Sequence, residues 1–404
     1  MVVKMSKQVV RKLVVIVLAV CMMLCMSACG KEEHETSKVR VGFITLHDDQ
    51  STYDKNFIDA AKEVCEKLGI QYKIETGVPE GQECYDAAMN MVDDGYNIIF
   101  ADSFGHESFL LQAAQECPDV QFCHATGTMA HTAGLDNFHN AFASIYEGRY
   151  LAGIAAGMKL NEMIESGKIT AKQAVMGYVG AYTYAEVISG YTAFYLGAKS
   201  VCPSVTMKVT FTGSWYDMQK ELDAAQDLID KGCVLISQHA DSLGAPSTCE
   251  TAGVPNVSYN GSTIDAAPNT YLVSSKINWA PYFEYMIQCV EKGEPIATDW
   301  VGTLATESVV LADLNESVAA KGTAEAIAAA KAAISAGEFH VFSADSFTVK
   351  GKTLNSYLAD VDTDAAYTPD TEAISDGYFH ESEYRSAPYF DLQIDGIELL
   401  DKAF

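Results

Sequence analysis

The chain has 404 residues, of which 49% are apolar and 20% are charged, a composition typical of a globular protein with room for two or three domains. Its formal net charge of −27 is strongly acidic. Nucleic acids and anionic membrane surfaces select basic proteins, so this charge argues against both as partners.

Residues 1–28 are expected to form a signal peptide rather than part of the fold. Basic residues precede an apolar run over 13–26, which is the order typical of secretion signals. The run ends at "MSAC" (26–29), which resembles a bacterial lipobox and implies cleavage before Cys29 and lipidation of that cysteine. Residues 29–38 would then be a polar tether. The alternative is a signal anchor that stays in the membrane as a helix.

Eight further cysteines are scattered over the rest of the chain, and none of them forms a C-x-x-C pair. An exported chain with many cysteines permits disulfides. Several of these cysteines lie in apolar helix or strand contexts, however, where a free cysteine behaves as a small hydrophobe. The spacing fixes no pairing, and we expect mostly free thiols.

From residue 39 onward, strand-like and helix-like segments alternate. The apolar run "VRVGFITL" (39–46) predicts a buried strand, and a helical pattern follows at 56–69, with Phe57 on its apolar face and Gly69 as its end. Further pairs of this kind follow as far as "VQFCHATG" (120–127). Repeated strand–helix pairs predict a parallel sheet with helices on both faces.

The same alternation begins again after a small-residue helix at 141–160. It starts with "AVMGYVGA" (174–181), includes "VTMKVTF" (205–211) and runs to "NVSYNG" (256–261). Two successive modules of similar size predict an α/β protein with two doubly wound lobes. Each lobe would have a parallel sheet, and a hinge near 144–150 would join them.

The last quarter of the chain has a different pattern. Residues 316–339 are Ala-rich and predict a packed helix that is broken near Gly322. Residues 341–404 are rich in Asp and aromatic side chains. We expect a hairpin and irregular packing there.

The sequence motifs that identify common enzyme classes are missing. There is no P-loop, no G-x-S-x-G turn and no GxGxxG fingerprint. His124, His131 and His139 lack the spacing of a zinc site. Ser103 and His106 could be read as a catalytic nucleophile and its base, but helix capping or contact with a ligand explains them better. The sequence therefore predicts a protein that is not an enzyme, has no metal or cofactor and does not power transport itself.

Seven stretches between about residues 39 and 300 occur in an order shared with a known family. They are "VPEG" (78–81), "YNIIFADSFG" (96–105), "FCHATG" (122–127), "YEGRYLAGIAAG" (146–157), "GSWYDMQKELDAAQDLIDKG" (213–232), "SQHADS" (237–242) and "INWAPYF" (277–283). Together they resemble the basic membrane protein family of bacterial substrate-binding lipoproteins, which serve ABC importers of the purine type. After residue 300 the resemblance is weaker, although "GYFHESEY" (377–384) is also similar.

The resemblance implies a type I periplasmic-binding-protein fold, with two lobes joined by three crossovers and a ligand in the cleft. Lobe 1 is expected to comprise residues 39–147 plus about 276–304, and lobe 2 residues 148–275 plus about 305–404. Ligands of open α/β sheets bind beyond the carboxyl ends of the strands. The resemblance also implies an extracytoplasmic, lipid-anchored location in a bacterium, with an ABC permease and its ATPase as partners.

Aromatic faces are expected to hold the ligand. The resemblance places one stacking residue at Trp215, in the strand-to-helix turn "TGSWYD", and another at Tyr53. Stacking on a base contributes about 1–3 kcal/mol, and a sandwich between these two side chains would use both faces of a purine. Tyr53 could instead be an exposed loop residue, Trp215 could fill a core, and Tyr216 could either pack or line the cleft.

Polar side chains are expected to bind the edge of the ligand. Asp54 stands where the family usually has Asn. An ionised carboxylate only accepts hydrogen bonds, so Asp54 favours ligand edges with N–H groups, or else it caps the helix that follows. Ser103 and Phe104 match the family's "SFG" at a strand end, and Asp241 could bind a base N–H or a ribose hydroxyl.

Two departures from the family favour a free base over a nucleoside. Asn260 stands where nucleoside-binding members carry Asp, and Ile277 replaces a Lys of those members. The segment "INW" (277–279) instead resembles the branch that binds free purine bases, so Asn278 and Trp279 are included among the expected ligand contacts.

The sequence therefore predicts a lipid-anchored binding protein that captures a purine, with a nucleobase favoured over a nucleoside, for an ABC importer. Other functions stay open at this point. They are a ligand-sensing or adhesive lipoprotein on the same fold, a hydrolase that processes purine nucleosides, and an importer of another aromatic ligand such as a flavin.

Overall fold

The computed structural model describes residues 39–361 and 368–403. The predicted signal peptide and tether, together with the lipidation candidate Cys29, lie outside the described residues. Within the described ranges, no helix combines the length and the apolar character that crossing a membrane requires. The described chain is an α/β structure with two separate large sheets, which confirms the predicted fold class.

The first sheet consists of six parallel strands. They are β1 (Arg40–Ile44), β2 (Gln71–Glu75), β3 (Ile98–Ala101), β4 (Gln121–Ala125), β5 (Phe138–Ala143) and β11 (Asp299–Gly302). Their helices are α1 (Thr52–Leu68), α2 (Gln82–Asp93), α3 (Glu107–Glu116), the single turn α4 (Ala130–Ala133) and α9 (Ala280–Lys292). The strand order is β11-β5-β4-β3-β1-β2, so the direction of strand addition reverses beside β1, where doubly wound sheets bind ligands.

The second sheet has seven strands and the same kind of reversal, here beside its first strand, β6. The strands are β6 (Val175–Gly180), β7 (Thr206–Phe211), β8 (Leu235–His239), β9 (Asn256–Tyr259), β10 (Tyr271–Ile277), β12 (Val309–Leu311) and β17 (Ile397–Leu399). The helices are α5 (Ile145–Glu165), α6 (Ala185–Val201), α7 (Met218–Asp230), α8 (Gly244–Ala252) and α10 (Thr323–Ser335). The order is β12-β10-β9-β8-β6-β7-β17, and β12 alone runs antiparallel to its neighbour.

The C-terminal region agrees with its prediction in part. Of the helix predicted over 316–339, only Thr323–Ser335 is helical; it begins directly after Gly322, which has a φ of 85°, and residues 316–322 form turns instead. Two short antiparallel strand pairs follow, separated by irregular chain. Strand β13 (Leu358–Ala359) pairs with β14 (Thr371–Glu372), and β15 (Ile374–Ser375) pairs with β16 (Tyr378–Phe379). The sequence did not predict β17, which extends the second sheet beside β7.

The chain passes between the two sheets three times, namely between β5 and α5, between β10 and α9, and between β11 and β12. Residues 382–386 lie beside these crossings, because the Ser382 and Ser144 hydroxyl oxygens are 3.2 Å apart and the Ser386 hydroxyl donates to Asp299. Helix α5 packs closely on α6. A Cβ on Gly197 would lie 2.0 Å from the Tyr150 carbonyl oxygen, so this contact requires glycine.

All eight cysteines after residue 38 are free, and all but Cys117 are buried. This agrees with the expectation of mostly free thiols. Burial raises the pKa of the Cys84 and Cys249 thiols to about 12, so these thiols remain protonated and pack as small apolar groups.

Candidate functional site

A cavity lies between the carboxyl ends of the two sheets, next to the strands where the direction of strand addition reverses. Thirteen residues line it: Leu46, His47, Tyr53, Asp54, Ser103, Phe104, Thr126, Glu186, Trp215, His239, Asp241, Tyr259 and Asn260. The cavity contains about 390 Å³ of empty space, counting the space at its open mouth.

Seven of the ten residues expected to contact ligand line this cavity. They are Tyr53, Asp54, Ser103, Phe104, Trp215, Asp241 and Asn260. Tyr216 does not line the cavity, and its ring centroid lies 5.5 Å from that of His47, which does. The structure therefore brings together side chains that are widely separated in the sequence, and it leaves Asn278 and Trp279 outside.

Trp279 is a core residue of the first lobe and not a ligand contact. Its side chain is only 1% exposed, and its ring stacks on Phe57 at a centroid distance of 4.4 Å. It also meets Phe100 edge-on at 5.8 Å. The physical reason is that Trp279 is the residue immediately before α9, which packs against α1, so the indole fills the space between helix and sheet. The prediction for Trp279 was wrong.

Asn278 has a structural role at the crossover into α9. Its side-chain oxygen accepts a hydrogen bond from the Ala280 N–H at 3.2 Å, and its side-chain nitrogen donates to the Glu307 carbonyl oxygen at 3.1 Å. These contacts fix the start of α9 and the neighbouring crossover. The prediction that Asn278 contacts the ligand was therefore also wrong.

Tyr53 has a fixed orientation on the wall of the first lobe. It lies in the first turn of α1 and is half-buried. Its hydroxyl donates to the Asp102 carbonyl oxygen at 2.8 Å, and its ring meets Phe57 edge-on at 4.9 Å. The alternative of an exposed loop residue is wrong, because the phenol is held at both its ring and its hydroxyl.

Trp215 forms the opposing wall, on the second lobe. It is half-buried, lines the cavity and meets the Tyr182 ring edge-on at 5.0 Å. Its carbonyl oxygen accepts a hydrogen bond from the Asp241 N–H at 3.0 Å. Asp217 caps α7 by accepting from the Lys220 N–H at 3.0 Å, so the turn has a separate structural residue and Trp215 is free to face the cavity.

Two tyrosines that the sequence reasoning missed extend this aromatic wall. Tyr182 and Tyr184 stack on each other at 5.2 Å in the turn after β6. Tyr184 also reaches across the cleft to Phe104, at 5.3 Å between ring centroids. A signal was present in the sequence, since paired aromatics directly follow a predicted strand in "GAYTYAE" just as they do in "TGSWYD".

Asp54 is a buried acceptor whose position is set by its own helix. Its Oδ1 accepts from the His47 N–H at 2.7 Å, and its Oδ2 accepts from the Ser51 hydroxyl at 2.5 Å. Burial by itself would raise the pKa of Asp54, but the hydrogen bonds from His47 and Ser51 outweigh it and lower the pKa. The helix cap is Ser51 rather than Asp54, so the alternative role as the cap was wrong.

Asp241 and Asn260 form a second polar pair, on the lobe opposite Asp54. The Asn260 side-chain nitrogen donates to Asp241 Oδ1 at 3.2 Å. Burial raises the pKa of Asp241 well above its usual value, and the nearby charges of Asp54 and Glu221 raise it further. The cavity thus combines one carboxyl group whose pKa is lowered with one whose pKa is raised.

Glu186, His239 and Tyr259 complete the floor, and none of them was predicted. His239 Nε2 lies 3.3 Å from Glu186 Oε1, and burial lowers the pKa of His239, with the positive charge of Arg149 adding to this effect. The Arg149 guanidinium lies 3.3 Å from the centroid of the Tyr259 ring and donates to the Gln238 carbonyl oxygen. His239 stands within "SQHADS" and Arg149 within "YEGRYLAGIAAG", but single residues of these types carry no spacing signal.

Direct contacts between the lobes border the cavity. The Thr52 N–H and hydroxyl both donate to the Asp241 carbonyl oxygen, at 3.1 and 3.2 Å. The ring contacts of Phe104 with Tyr184 and of His47 with Tyr216 also join the lobes. Tyr53 of the first lobe and Trp215 of the second lobe both line the cavity that these contacts border.

Residues 41–338 match the family described as "ABC transporter substrate-binding protein PnrA-like". A purine-binding protein of Brucella abortus (strain 2308) is 34% identical over 261 residues, which cover 63% of this chain and 69% of that protein. A protein of Haloferax volcanii that is named as an ABC transporter glucose-binding protein is 32% identical over 210 residues, 52% of this chain and 50% of that protein.

The fold also matches solved structures of solute-binding proteins. One from Conexibacter woesei DSM 14684 superimposes with a TM-score of 0.62 and covers 75% of this chain and 98% of its own. The two sequences are 19% identical, so this likeness bears on the fold alone.

Proposed function

Because the chain belongs to the PnrA-like (Bmp) family of ABC transporter substrate-binding proteins, which is the family its motifs indicated, we propose that it captures a purine in the cavity between its lobes. The observation that carries this proposal is the placement of Tyr53 and Trp215, on different lobes, in the lining of one cavity. Two aromatic faces suit a flat heterocycle, and each face contributes about 1–3 kcal/mol by stacking.

The polar side chains favour a purine base that has N–H groups on its edge. Asp54 is held ionised by His47 and Ser51, so it accepts hydrogen bonds and donates none. Asp241 and Asn260 supply donors as well as acceptors on the other lobe. Adenine and guanine combine N–H groups with ring-nitrogen acceptors, which matches this arrangement.

We favour a nucleobase over a nucleoside as the ligand. The thirteen lining residues include no Lys or Arg. These residues therefore offer no free cationic donor for ribose hydroxyls. The similarity to a named purine-binding protein supports the ligand class, while the choice of base over nucleoside rests on these side chains.

Delivery of the ligand to a permease would follow from closure of the lobes. Contacts such as Thr52 with Asp241 join the lobes at the mouth of the cavity, so they form only when the lobes meet, and a permease could recognise the closed form. We propose that the protein acts outside the cytoplasm and is held at the membrane by lipid on Cys29. An ABC permease and its ATPase would then receive the ligand.

The test is a panel of binding measurements on the purified protein. Any bound ligand is first removed by unfolding and refolding the chain. Adenine, guanine, hypoxanthine, adenosine, guanosine, riboflavin and glucose are titrated by calorimetry, and thermal unfolding is recorded in parallel. We expect saturable binding of a purine base, weaker binding of its nucleoside, and a rise in Tm that follows occupancy. A folded, ligand-free protein that responds to no purine would refute the proposal.

Mass spectrometry of the ligand released from freshly purified protein provides an independent check. An unmodified purine in a one-to-one ratio with protein would support capture for transport. Incubation with inosine separates this function from hydrolysis, since a hydrolase would release free hypoxanthine over time and a binding protein would not.

A further inference from the structure

Residues 397–403, called the C-terminal strap below, run along the edge of the second sheet and end beside the cavity. Strand β17 pairs in parallel with β7, with Ile397 opposite Met207 and Leu399 opposite Val209. The Leu400 N–H then donates to the Val209 carbonyl oxygen at 2.8 Å. The strap therefore follows β7 toward its carboxyl end, which is the end that leads to Trp215.

The Asp401 side chain holds the last residues of β7. Its Oδ2 accepts from the Thr210 hydroxyl at 2.5 Å, and its Oδ1 accepts from the Phe211 N–H at 2.8 Å. Both oxygens of one carboxylate are thus used at the point where the chain leaves the sheet and enters the turn that bears Trp215. Hydrogen bonds to an ionised acceptor are stronger than those between neutral groups.

Ala403 holds the neighbouring turn, which follows β6. Its carbonyl oxygen accepts from the Thr183 N–H at 2.6 Å and from the Thr183 hydroxyl at 2.8 Å, and its N–H lies 3.0 Å from the same hydroxyl oxygen. Thr183 stands between Tyr182 and Tyr184, whose rings flank Trp215. One segment therefore ties down both turns that carry the aromatic wall.

From these contacts we infer that the C-terminal strap is a positioning element of the binding site: Asp401 and Ala403 hold the turns that carry Trp215 and the two tyrosines packed against it. The strap touches no cavity-lining side chain through these bonds, so it acts through the turns. Fixing them in advance reduces the ordering cost that a ligand would otherwise meet. This inference rests on the proposed function for its effect on affinity.

A simpler role for the strap is to cover the edge of the second sheet, since exposed edges promote aggregation. That role needs only the backbone pairing of β17 with β7. It does not need the carboxylate of Asp401 or the contacts of Thr183 with Ala403. Side-chain changes at these positions therefore separate positioning of the wall from protection of the edge.

The chain contains a control for Asp401. Asp395 lies in the same C-terminal region, and its Oδ2 accepts both from the Thr348 hydroxyl at 2.6 Å and from the Gly351 N–H at 2.7 Å. Neither partner lines the cavity. D401N must place an NH₂ group where Asp401 uses an acceptor, because both of its oxygens are engaged. In D395N the amide oxygen can keep both bonds, so this variant controls for the loss of the negative charge.

The experiment measures the affinity of the full chain and of both variants for adenine and guanine by calorimetry. We expect D401N to bind roughly tenfold more weakly than D395N, equivalent to about 1.4 kcal/mol, at temperatures where all three proteins are folded. Affinities of D401N and D395N within about twofold of each other would overturn the inference. If D401N does not fold, T183V provides the same test, because it removes the hydroxyl contact with Ala403 and leaves Asp401 in place.

A second readout follows Trp215 itself and does not depend on the ligand. The fluorescence of Trp215 is obtained by subtracting the signal of the W215F version from that of each protein, because this cancels the signals of Trp279 and Trp300. The quenching of the remaining signal by acrylamide then reports how accessible Trp215 is. We expect Trp215 to be more accessible in D401N than in D395N. If the wild-type chain binds neither purine, the proposed function fails. Equal quenching of Trp215 in D401N and D395N would overturn the positioning role of the strap, whether or not a purine binds.

Discussion

The carbonyl oxygen of Asp241 accepts two hydrogen bonds from Thr52, one from its N–H at 3.1 Å and one from its hydroxyl at 3.2 Å. Thr52 begins α1 of the first lobe, and Asp241 follows β8 of the second lobe. The same short segments carry Tyr53 and Asp54 on one side and the Asp241 carboxyl group on the other. The contact that joins the lobes is therefore adjacent to groups that line the cavity.

This relationship predicts that Thr52→Val weakens ligand binding without preventing it. Valine keeps the shape and the backbone N–H but loses the hydroxyl, so one hydrogen bond worth about 0.5–1.5 kcal/mol is lost from the closed form. Calorimetry should show affinity reduced by roughly 2- to 12-fold. Thr251→Val is the control, because the Thr251 hydroxyl donates only within α8, to the Ser247 carbonyl oxygen; an equal loss in both variants would contradict the prediction.

Trp215 and Trp279 should respond to substitution in opposite ways. Trp215→Ala removes one stacking face, so we expect a loss of about 1–3 kcal/mol in purine binding and little change in stability, since the side chain is only half-buried. Trp279→Ala leaves a cavity in the core of the first lobe and should reduce the free energy of unfolding by about 3–5 kcal/mol. Urea unfolding and calorimetry on both variants check this, and near-normal affinity of the folded Trp215→Ala protein would place Trp215 outside the site.

Asp54 should contribute stability that disappears in acid. Its pKa is lower in the folded protein than in the unfolded chain, so the folded state binds the proton less tightly. The contribution is present above the unfolded value of about 3.9 and is lost as the pH falls through the folded pKa. The stability difference between wild type and Asp54→Asn, measured by urea unfolding, should be constant near neutral pH and shrink in acid. A difference independent of pH would show that the carboxylate charge has no such role.

Glu381 should have the opposite effect on the pH dependence of stability. It is buried beside the crossings, with its Oε1 accepting from the Ser189 hydroxyl. Burial raises the pKa of Glu381 to about 7, and the charges of Glu147 and Glu186 act in the same direction. Between about pH 4.5 and 7 the folded state therefore binds more protons than the unfolded chain, and stability falls as the pH rises.

Glu381→Gln removes this dependence because the amide does not titrate. We expect the difference in unfolding free energy between wild type and Glu381→Gln to move in favour of the variant as the pH rises from 5 to 7.5, as measured by urea unfolding. Parallel stability profiles for the two proteins over that range would contradict the assignment.

The sequence was sufficient for the parts of the fold that depend on local pattern. Alternating strands and helices predicted both sheets, and the end of α1 at Gly69 and the start of α10 after Gly322 followed from glycine positions that the structure shows with positive φ. Tyr53 and Trp215 were predicted from positions shared with the family, and both line the cavity. Their placement in one cavity depends on how the lobes meet, which no local pattern contains.

The remaining parts depend on contacts between distant segments. The direction in which Trp279 points is set by packing of α9 on α1, and an indole at a helix start is compatible with either a core or a cleft. Glu186 and His239 are single polar residues whose partnership appears only when β6 and β8 become neighbours. Strand β17 is three residues long, too short for a hydrophobic period to be recognised.

The C-terminal strap also has a consequence for the order in which the molecule is built. Thr210 and Asp401, which it joins, are separated by 191 residues in the chain. Contacts of such sequence separation form slowly, because a long loop must be closed before they contribute. The second lobe can assemble β6 to β10 early, but its aromatic wall acquires its last supports only when the C-terminal residues dock. Newly exported chains should therefore pass through a folded state that binds ligand poorly, and full binding should appear with the slowest phase of refolding.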